Sequence, residues 1–378
     1  MAIEYKVLTW NVRGLGTPVK RHRVHAYLRR RHIQIACIQE THLTKEELGK
    51  VGKRWRGQTY GTWYSAFARG VLIWIAPGVP FVKTKVIIDL EGRYVLLMGE
   101  LDGRPLNIAA LYCPNINQGA FLRGLTPALF SDPLAPGIWV GDFNGTHSIT
   151  IDRSAPPLPG AQAVRTSREF RDWTSAWGLH DAWRLAHPGA TEFSYFAPGH
   201  LIHTRLDYVF TDVSMSKTIT AAEYLGRTLS DHSPLKITFQ WGRERPSVPT
   251  WRLRPEALQD PPYRATVATH LSQYFGENQG TAGSGLVEWD AMKTVLRGHC
   301  IATSWGGRMS LLRDVEELEE KLRKLEVEAV RDPDRWAAHR ETQKELAEVY
   351  SRLSKIDYKF FLQRQHAEGD KPGRVLAW

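Results

Sequence analysis

Cysteine is scarce in this chain, with three residues in 378, Cys37, Cys113 and Cys300. So few thiols, odd in number, exclude a disulfide-built scaffold and favour a reducing compartment. No apolar run reaches ~18 residues, which excludes a membrane-spanning helix. The opening residues MAIEYKVL carry no apolar signal core ahead of what reads as a strand. Nothing repeats at a period of ~20–50 residues, so solenoids are excluded as well. Wholesale disorder does not fit either, because 42% hydrophobic and 24% charged residues are ordinary for a globular protein. The length is ample for a sizeable core and predicts two to three domains.

What is present begins with positive charge, unevenly placed. Residues 1–242 hold 28 Lys+Arg against 19 Asp+Glu, a net of +9, whereas 243–378 hold 22 against 21, a net of +1. A basic first region favours a polyanionic partner, with a charge kept for solubility as the competing explanation.

Short β-branched or aromatic runs recur along that region. They predict strands at Ile3–Trp10, Ile33–Gln39, Val71–Ala76, Thr84–Leu90, Tyr94–Leu101, Leu106–Tyr112, Ile138–Gly141, Leu206–Thr211, Ile219–Tyr224 and Leu235–Trp241. Helices are predicted over Lys20–Arg31 and over Arg168–Trp177, the latter stopped by Gly178. Many strands with few helices between them indicate a mixed, layered α/β domain rather than a purely parallel one. The pattern ends in GRERPSVP at 242–249, a domain boundary by its prolines and charges.

Beyond it, Pro261–Pro262 and GENQGTAGSG at 276–285 read as loops around short helices. Leu311, Val315, Leu318, Leu322 and Leu325, then Leu346, Val349, Leu353, Ile356 and Phe360, repeat at spacings of three and four on either side of Asp332–Pro333. That predicts an α-helical hairpin packed along apolar seams. The expected division is therefore a domain at 1–242, a linker with short helices at 243–308, and a hairpin region at 309–378. The chain stops at GDKPGRVLAW, an apolar element just begun, so a fragment of a longer polypeptide is expected.

Six short polar motifs sit at predicted strand ends: Thr9–Asn11, Ile38–Thr41, Tyr112–Asn115, Gly141–Asn144, Arg205–Tyr208 and Ser230–His232. Each alone has a mundane explanation as a turn, a cap or a solvated strand terminus. Together they supply every role that phosphodiester hydrolysis needs. A hard divalent cation takes oxygen ligands such as Glu40, supported by Asn11. A carboxylate such as Asp142 aligns and deprotonates water, with Asn144 orienting the groups around it. His232, held by Asp207, and Tyr112 can aim donors at the developing phosphate charge.

In this order the motifs resemble the exonuclease–endonuclease–phosphatase superfamily. Within it they are similar to the apurinic-endonuclease-like domain of non-LTR (LINE-type) retrotransposon ORF2 proteins. The marks are TWNVRGLG at 9–16, IQETHL at 38–43, YCPN at 112–115, GDFN at 141–144 with IDRS at 151–154, TEFSYFAPGHLIHTRLD at 191–207 and SDHSPL at 230–235. The tail, with Trp251–Leu253, the hairpin and Gly369–Lys371, is similar to the region between endonuclease and reverse transcriptase.

The resemblance implies a four-layered sandwich of two mixed β-sheets flanked by helices, followed by the α-helical hairpin. It implies a magnesium-dependent endonuclease, with Mn2+ able to substitute, that nicks double-stranded DNA and leaves a 3′-hydroxyl to prime reverse transcription. Element RNA would be met through the rest of the polyprotein, no membrane is involved, and the place of work would be the nucleus. Residue by residue, Glu40 with Asn11 would bind the metal and Asp231 would lie close to it. Asp142 with Asn144 would handle the nucleophile, Asp207 would pair with His232 on the scissile phosphate, and Tyr112 would hydrogen-bond that phosphate. DNA-repair members often carry an acid where this chain has Arg13, so Arg13 is expected on phosphate instead. Arg153, Ser194 (a threonine is usual there) and Thr204 are further expected DNA contacts. The rival readings are a phosphoesterase acting on abasic DNA, RNA or inositol phosphates, and a decayed module that binds DNA without cutting.

Overall fold

A computed structural model describes residues 3–55, 57–129, 135–157, 161–197, 202–242, 261–278, 285–329, 332 and 334–369, with side chains described except at 53–54, 127, 301–309 and 354–369. The elements follow in the order β1 (Ile3–Asn11), α1 (Pro18–Arg30), β2 (Ile35–Gln39), α2 (Lys45–Trp55), β3 (Gln58–Thr62), β4 (Val71–Ile75), β5 (Phe81–Ile88), β6 (Tyr94–Leu101) and β7 (Arg104–Tyr112). Next come α3 (Gln118–Leu129), β8 (Gly137–Asp142), α4 (Gln162–Ala176), β9 (His180–Asp181), α5 (Ala182–Ala186), β10 (Tyr195–Ala197), β11 (Ile202–Thr204), β12 (Asp207–Thr211), α6 (Val213–Ser216), β13 (Ile219–Tyr224) and β14 (Leu235–Trp241). Three helices close the chain, α7 (Pro261–Asn278), α8 (Gly285–Ala329) and α9 (Arg335–Gly369).

Two six-stranded sheets form, in the orders β13-β14-β1-β2-β4-β3 and β5-β6-β7-β8-β12-β9, and β10-β11 stand apart as a small hairpin. Each large sheet is mixed: β1–β2 and β7–β8 run parallel and the other pairs antiparallel. The sheets meet face to face. Tyr5, Val7, Ile35, Cys37, Val71 and Ile73 from one share a buried core with Val95, Leu97, Ile108, Ala110, Ile138, Val140 and Val209 from the other. Burying this apolar surface is the main source of stability. A second cluster, Leu122, Leu125, Phe170 and Trp173 with Leu111, Trp139 and Phe210, seats α3 and α4 on the outer face of the second sheet.

Alternation along the strands places the site. Side chains two apart share a face, so the inward rows read Tyr5, Val7, Thr9, Asn11 on β1; Ile35, Cys37, Gln39 on β2; Ile138, Val140, Asp142 on β8; and Thr211, Val209, Asp207 on β12. Asn11, Gln39, Asp142 and Asp207 end their rows at the same end of the sandwich, where the apolar filling stops.

All ten predicted strands are present. The four strands that composition did not signal, β3 and β9–β11, are two to five residues long, at sheet edges or in the separate hairpin. Local capping explains several helix starts: Thr17 accepts from the Lys20 amide ahead of Pro18, and Asp181 and Asp212 cap α5 and α6. Helix α4 begins earlier than the predicted Arg168, at Gln162, and Gly178 follows its end with φ +58°.

The chain divides into two compact units, one of residues 1–245 with 319–347, the other of 246–318 with 348–378. In the second unit Tyr263, Val267 and Cys300 form a small buried cluster, with the Tyr263 hydroxyl donating to the Cys300 carbonyl at 3.2 Å. Pro261–Pro262, expected in a loop, begin α7, and in place of short helices α7 and α8 run for 18 and 45 residues, while residues 279–284 of the expected loop at 276–285 lie outside the described residues. The expected boundary at 308 falls inside α8. Leu311, Val315, Leu322, Leu325, Leu346, Val349 and Leu353 are buried and Leu318 partly so. The side chains of Ile356 and Phe360, the boundary stretch after Gly242, Trp251–Leu253 and the tail after Gly369 lie outside the described residues. Among the described residues no helix is long and apolar enough to cross a membrane.

Candidate active site

At the polar end of the sandwich the strand termini bring together residues far apart in the chain. Asp142 and Asp207 are direct partners across β8 and β12. His232 lies beside them, its Nδ1 2.7 Å from Asp207 Oδ2 and its Nε2 4.0 Å from Asp142 Oδ2. Asn11 joins this group to Glu40, because its amide donates to Glu40 Oε1 and to Asp142 Oδ2 at 2.9 Å each. The Tyr112 hydroxyl also donates to Glu40. Asn144 gives its backbone N–H to Asp142 Oδ1 and its side-chain amide to the Cys113 carbonyl, both at 2.8 Å.

The loops that carry these groups are constrained. Glu40 and Asn144 hold positive φ, 49° in each case. Gly141 is required where it stands. Its φ is +150°, and a Cβ there would fall 1.9 Å from the Leu111 carbonyl oxygen on the neighbouring strand. Ser230 ties the last motif to the first, its hydroxyl donating to the Asn11 carbonyl at 2.7 Å.

Charge is set by this packing. Burial opposes ionisation of Glu40, but hydrogen bonds from His42, Asn11 and Tyr112 and the charge of His232 outweigh it and bring the carboxyl to about 2. Asp142 goes the other way: burial and the Asp207 carboxylate raise it to about 7, against the pull of His232, Asn11 and the Asn144 amide. Burial also disfavours the His232 cation, yet Asp207, by charge and hydrogen bond, with Asp142 and Asp231 raises it to about 9. The constellation is thus an ionised glutamate, a carboxylate near neutrality and a charged imidazole whose Nε2 lies beyond hydrogen-bond distance of Asp142.

A divalent cation fits these residues. Asp142, Asp207 and His232 bring ligand-type atoms within 4.8 Å of one another, and since the charged His232 has no free lone pair, the two carboxylates are the groups that would hold the ion. Asp207 Oδ1 is buried with no hydrogen-bond partner, and carboxylate oxygens are what a hard cation takes.

Several expected contacts are placed differently. Asn11 donates its amide to the two carboxylates and accepts the Arg13 N–H on Oδ1 at 3.1 Å, so it bridges the acidic groups. Asp231 is ion-paired with Arg13 at 2.8 Å; that guanidinium occupies the place of an acid and engages one. Ser194 is fully buried, its hydroxyl accepting from the Leu206 and Asp207 amides at 2.9 and 3.1 Å, which leaves it no surface to offer DNA. Thr204 is buried as well. Arg153 is partly exposed, with Nε on the Ala155 carbonyl at 3.2 Å. The basic run of α1 is largely committed: Lys20 and Arg21 hold carbonyls of the 12–16 loop, and Arg30 and Arg31 pair with Glu319.

Other contributors went unnoticed in the sequence. His42 Nε2 lies 3.4 Å from Glu40 Oε2. Arg205 is buried on Asp152 and Asp181, with ion pairs of 2.8 and 2.6 Å that fix the start of β12. His42, Asp152 and Arg205 all lie inside the sequence motifs, which was the signal available. A cleft of about 430 Å³ opens beside Glu40, lined by His42, Phe67, Arg69, Arg93, Tyr112, Asn115 and Ile116 among others, with Phe67 89% exposed on its rim.

The Endonuclease/Exonuclease/phosphatase family pattern matches residues 8–232, more than half of the chain and all of the site. The chain belongs to this family. The fold agrees. An AP endonuclease of Archaeoglobus fulgidus superposes with a TM-score of 0.51 at 18% identity, over 62% of this chain and 99% of its own. The 3′ phosphatase NExo of Neisseria, bound to a product DNA hairpin, gives 0.50 at 18%, over 63% and 100%. The catalytic domain of Xenopus laevis APE2 gives 0.50 at 17%, over 64% and 94%.

Proposed function

We propose that this family member is a divalent-metal-dependent DNA endonuclease of the LINE-retrotransposon type, which nicks one strand and leaves a 3′-hydroxyl able to prime reverse transcription. The observation that carries the reading is the union of Glu40, Asp142, Asp207 and His232 at one end of the sandwich, with Asp142 raised to about 7 beside an imidazole raised to about 9.

The residues divide the work. Asp142, oriented by Asn11 and the Asn144 amide, accepts the proton of the attacking water. His232, kept charged by Asp207, donates Nε2–H to a phosphate oxygen, while Tyr112 donates its hydroxyl hydrogen to Glu40 and so helps keep that carboxylate ionised. The water oxygen bonds to phosphorus as the P–O3′ bond breaks, the phosphate stays on the 5′ oxygen of the downstream nucleotide, and the 3′ oxygen takes a proton from solvent, to which Asp142 returns the one it accepted. Magnesium held by Glu40 and the buried acidic group would supply charge neutralisation at the phosphate and leaving oxygens.

The net +9 of residues 1–242 and the cleft-side Arg69 and Arg93 support a nucleic-acid substrate. The fold neighbours named as AP endonucleases and a DNA-bound 3′ phosphatase favour DNA. They also make cleavage at abasic sites the second reading. Work on target DNA would place the protein in the nucleus.

The test is conversion of supercoiled plasmid to open circles with magnesium and not with EDTA, beside Glu40→Ala and His232→Ala. Nicks with 3′-hydroxyl ends on intact plasmid support the proposal. Cleavage confined to abasic oligonucleotides selects the second reading, and metal-independent binding without cleavage rejects both.

A further inference from the structure

The family match ends at residue 232, yet residues 319–347 fold in the same compact unit as the sandwich. Their contacts gather on the segment that leads into His232. Gln343 Nε2 donates to the Ser230 carbonyl at 3.1 Å and to the Arg227 carbonyl at 3.2 Å. Glu326 Oε1 accepts from the Arg227 backbone N–H at 2.8 Å and its Nε at 3.2 Å, and His339 Nε2 lies 3.1 Å from the same oxygen. Trp336 stacks on Phe196 of β10, centroids 4.1 Å apart and planes within 10°, and the Arg227 guanidinium lies over its ring at 5.1 Å. Arg227, Trp336 and His339 are buried in this contact.

Ser230 is therefore held from two sides. Its hydroxyl fixes the Asn11 carbonyl and its own carbonyl is fixed by Gln343. Two residues on, His232 depends on that backbone for its position, since its N–H reaches Ser230 Oγ at 3.3 Å and its carbonyl accepts from Trp10 Nε1 at 3.1 Å. Main-chain carbonyls bonded by a side chain that is itself anchored in a packed surface are poorly free to move. A shift of about 1 Å in a catalytic group costs as much as two orders of magnitude in rate.

We propose that Gln343 is a positioning residue for the nuclease: with Glu326 and Trp336 it fixes residues 227–232 so that His232 stays seated on Asp207, and cleavage depends on this helical segment outside the family-matched region. The inference rests on the nuclease reading above.

The test uses the full chain. Gln343→Leu removes the donor, Gln343→Glu sets an acceptor against two carbonyls, and Gln343→Lys keeps a donor. In steady-state plasmid nicking, kcat is expected to fall about tenfold in the first two, with the KM for DNA unchanged and the melting temperature near that of wild type. Gln343→Lys is expected to stay close to wild type. Amide hydrogen exchange over 227–233 is expected to quicken in the Leu and Glu variants. Unchanged kcat, a loss in KM alone, or an equal loss in the Lys variant overturns the proposal. Should the wild-type protein nick no DNA, the nuclease reading falls and exchange decides the brace alone: unaltered exchange over 227–233 overturns it, and faster exchange sustains it. If the Leu variant does not fold, the Glu and Lys pair gives the same comparison.

Discussion

Asp142 and Asp207 face each other as direct cross-strand partners, and His232 bonds one at 2.7 Å while stopping 4.0 Å short of the other. Like charges so close cannot share a buried site freely. Burial and the Asp207 charge raise the proton affinity of Asp142, and the imidazole offsets part of that rise by its charge.

The pH dependence follows. Asp142 must be ionised to accept a proton and His232 charged to donate its Nε2–H, so activity is expected to rise through about pH 7 and fall through about pH 9. Asp207→Asn removes the negative charge that holds the His232 proton. The alkaline limb should then move down by roughly one to two pH units, read from kcat against pH. An unmoved limb would assign it to another group.

Asp142→Asn should trade stability against activity. The carboxyl is raised from its ordinary 3.8 to about 7, so its ionisation opposes folding: the stability it allows at low pH is lost as pH rises from 3.8 towards 7. A neutral amide removes that penalty. At pH 8 without metal the variant should be more stable by about 1 kcal/mol, with nicking reduced about 10²–10⁴-fold. Urea unfolding with EDTA and without added metal measures the first, and the plasmid assay the second.

Arg205 anchors the strand that carries Asp207. It is 1% exposed, bidentate on Asp152 through Nε and Nη2 at 2.8 and 3.1 Å, and paired with Asp181 at 2.6 Å. Arg205→Met leaves two buried carboxylates without this partner and should cost about 3–5 kcal/mol. The midpoint of urea unfolding tests it. A loss below about 1 kcal/mol would mean that Arg184, also on Asp152, compensates alone.

Gly141→Ala should be harmful without removing any polar group. The added Cβ meets the Leu111 carbonyl, and β7 and β8 must part to admit it. A loss of about 3 kcal/mol or more is expected, seen as a lowered melting temperature. Gly189→Ala serves as the control, since its Cβ would meet nothing within 4 Å.

The layered α/β class, the ten main strands and the polar residues at their ends were legible in the sequence. These are local matters: alternation sorts the two faces of a strand, and a polar residue after an apolar row marks the end of the core. Short edge strands such as β3, β10 and β11 were not legible, because two to five residues carry too little pattern and are held by neighbours rather than by propensity. Only the tertiary structure decided which polar residues meet. Asn11 reaches Asp142 across 131 positions, Ser194 turns inward to cap β12, and Asp231 closes on Arg13. It alone set the proton affinities too, since burial and neighbouring charge are properties of the assembled site. The same holds for Gln343, which meets Ser230 across 113 positions. No spacing in the chain announces that contact, because it arises from the packing of two surfaces after each has formed.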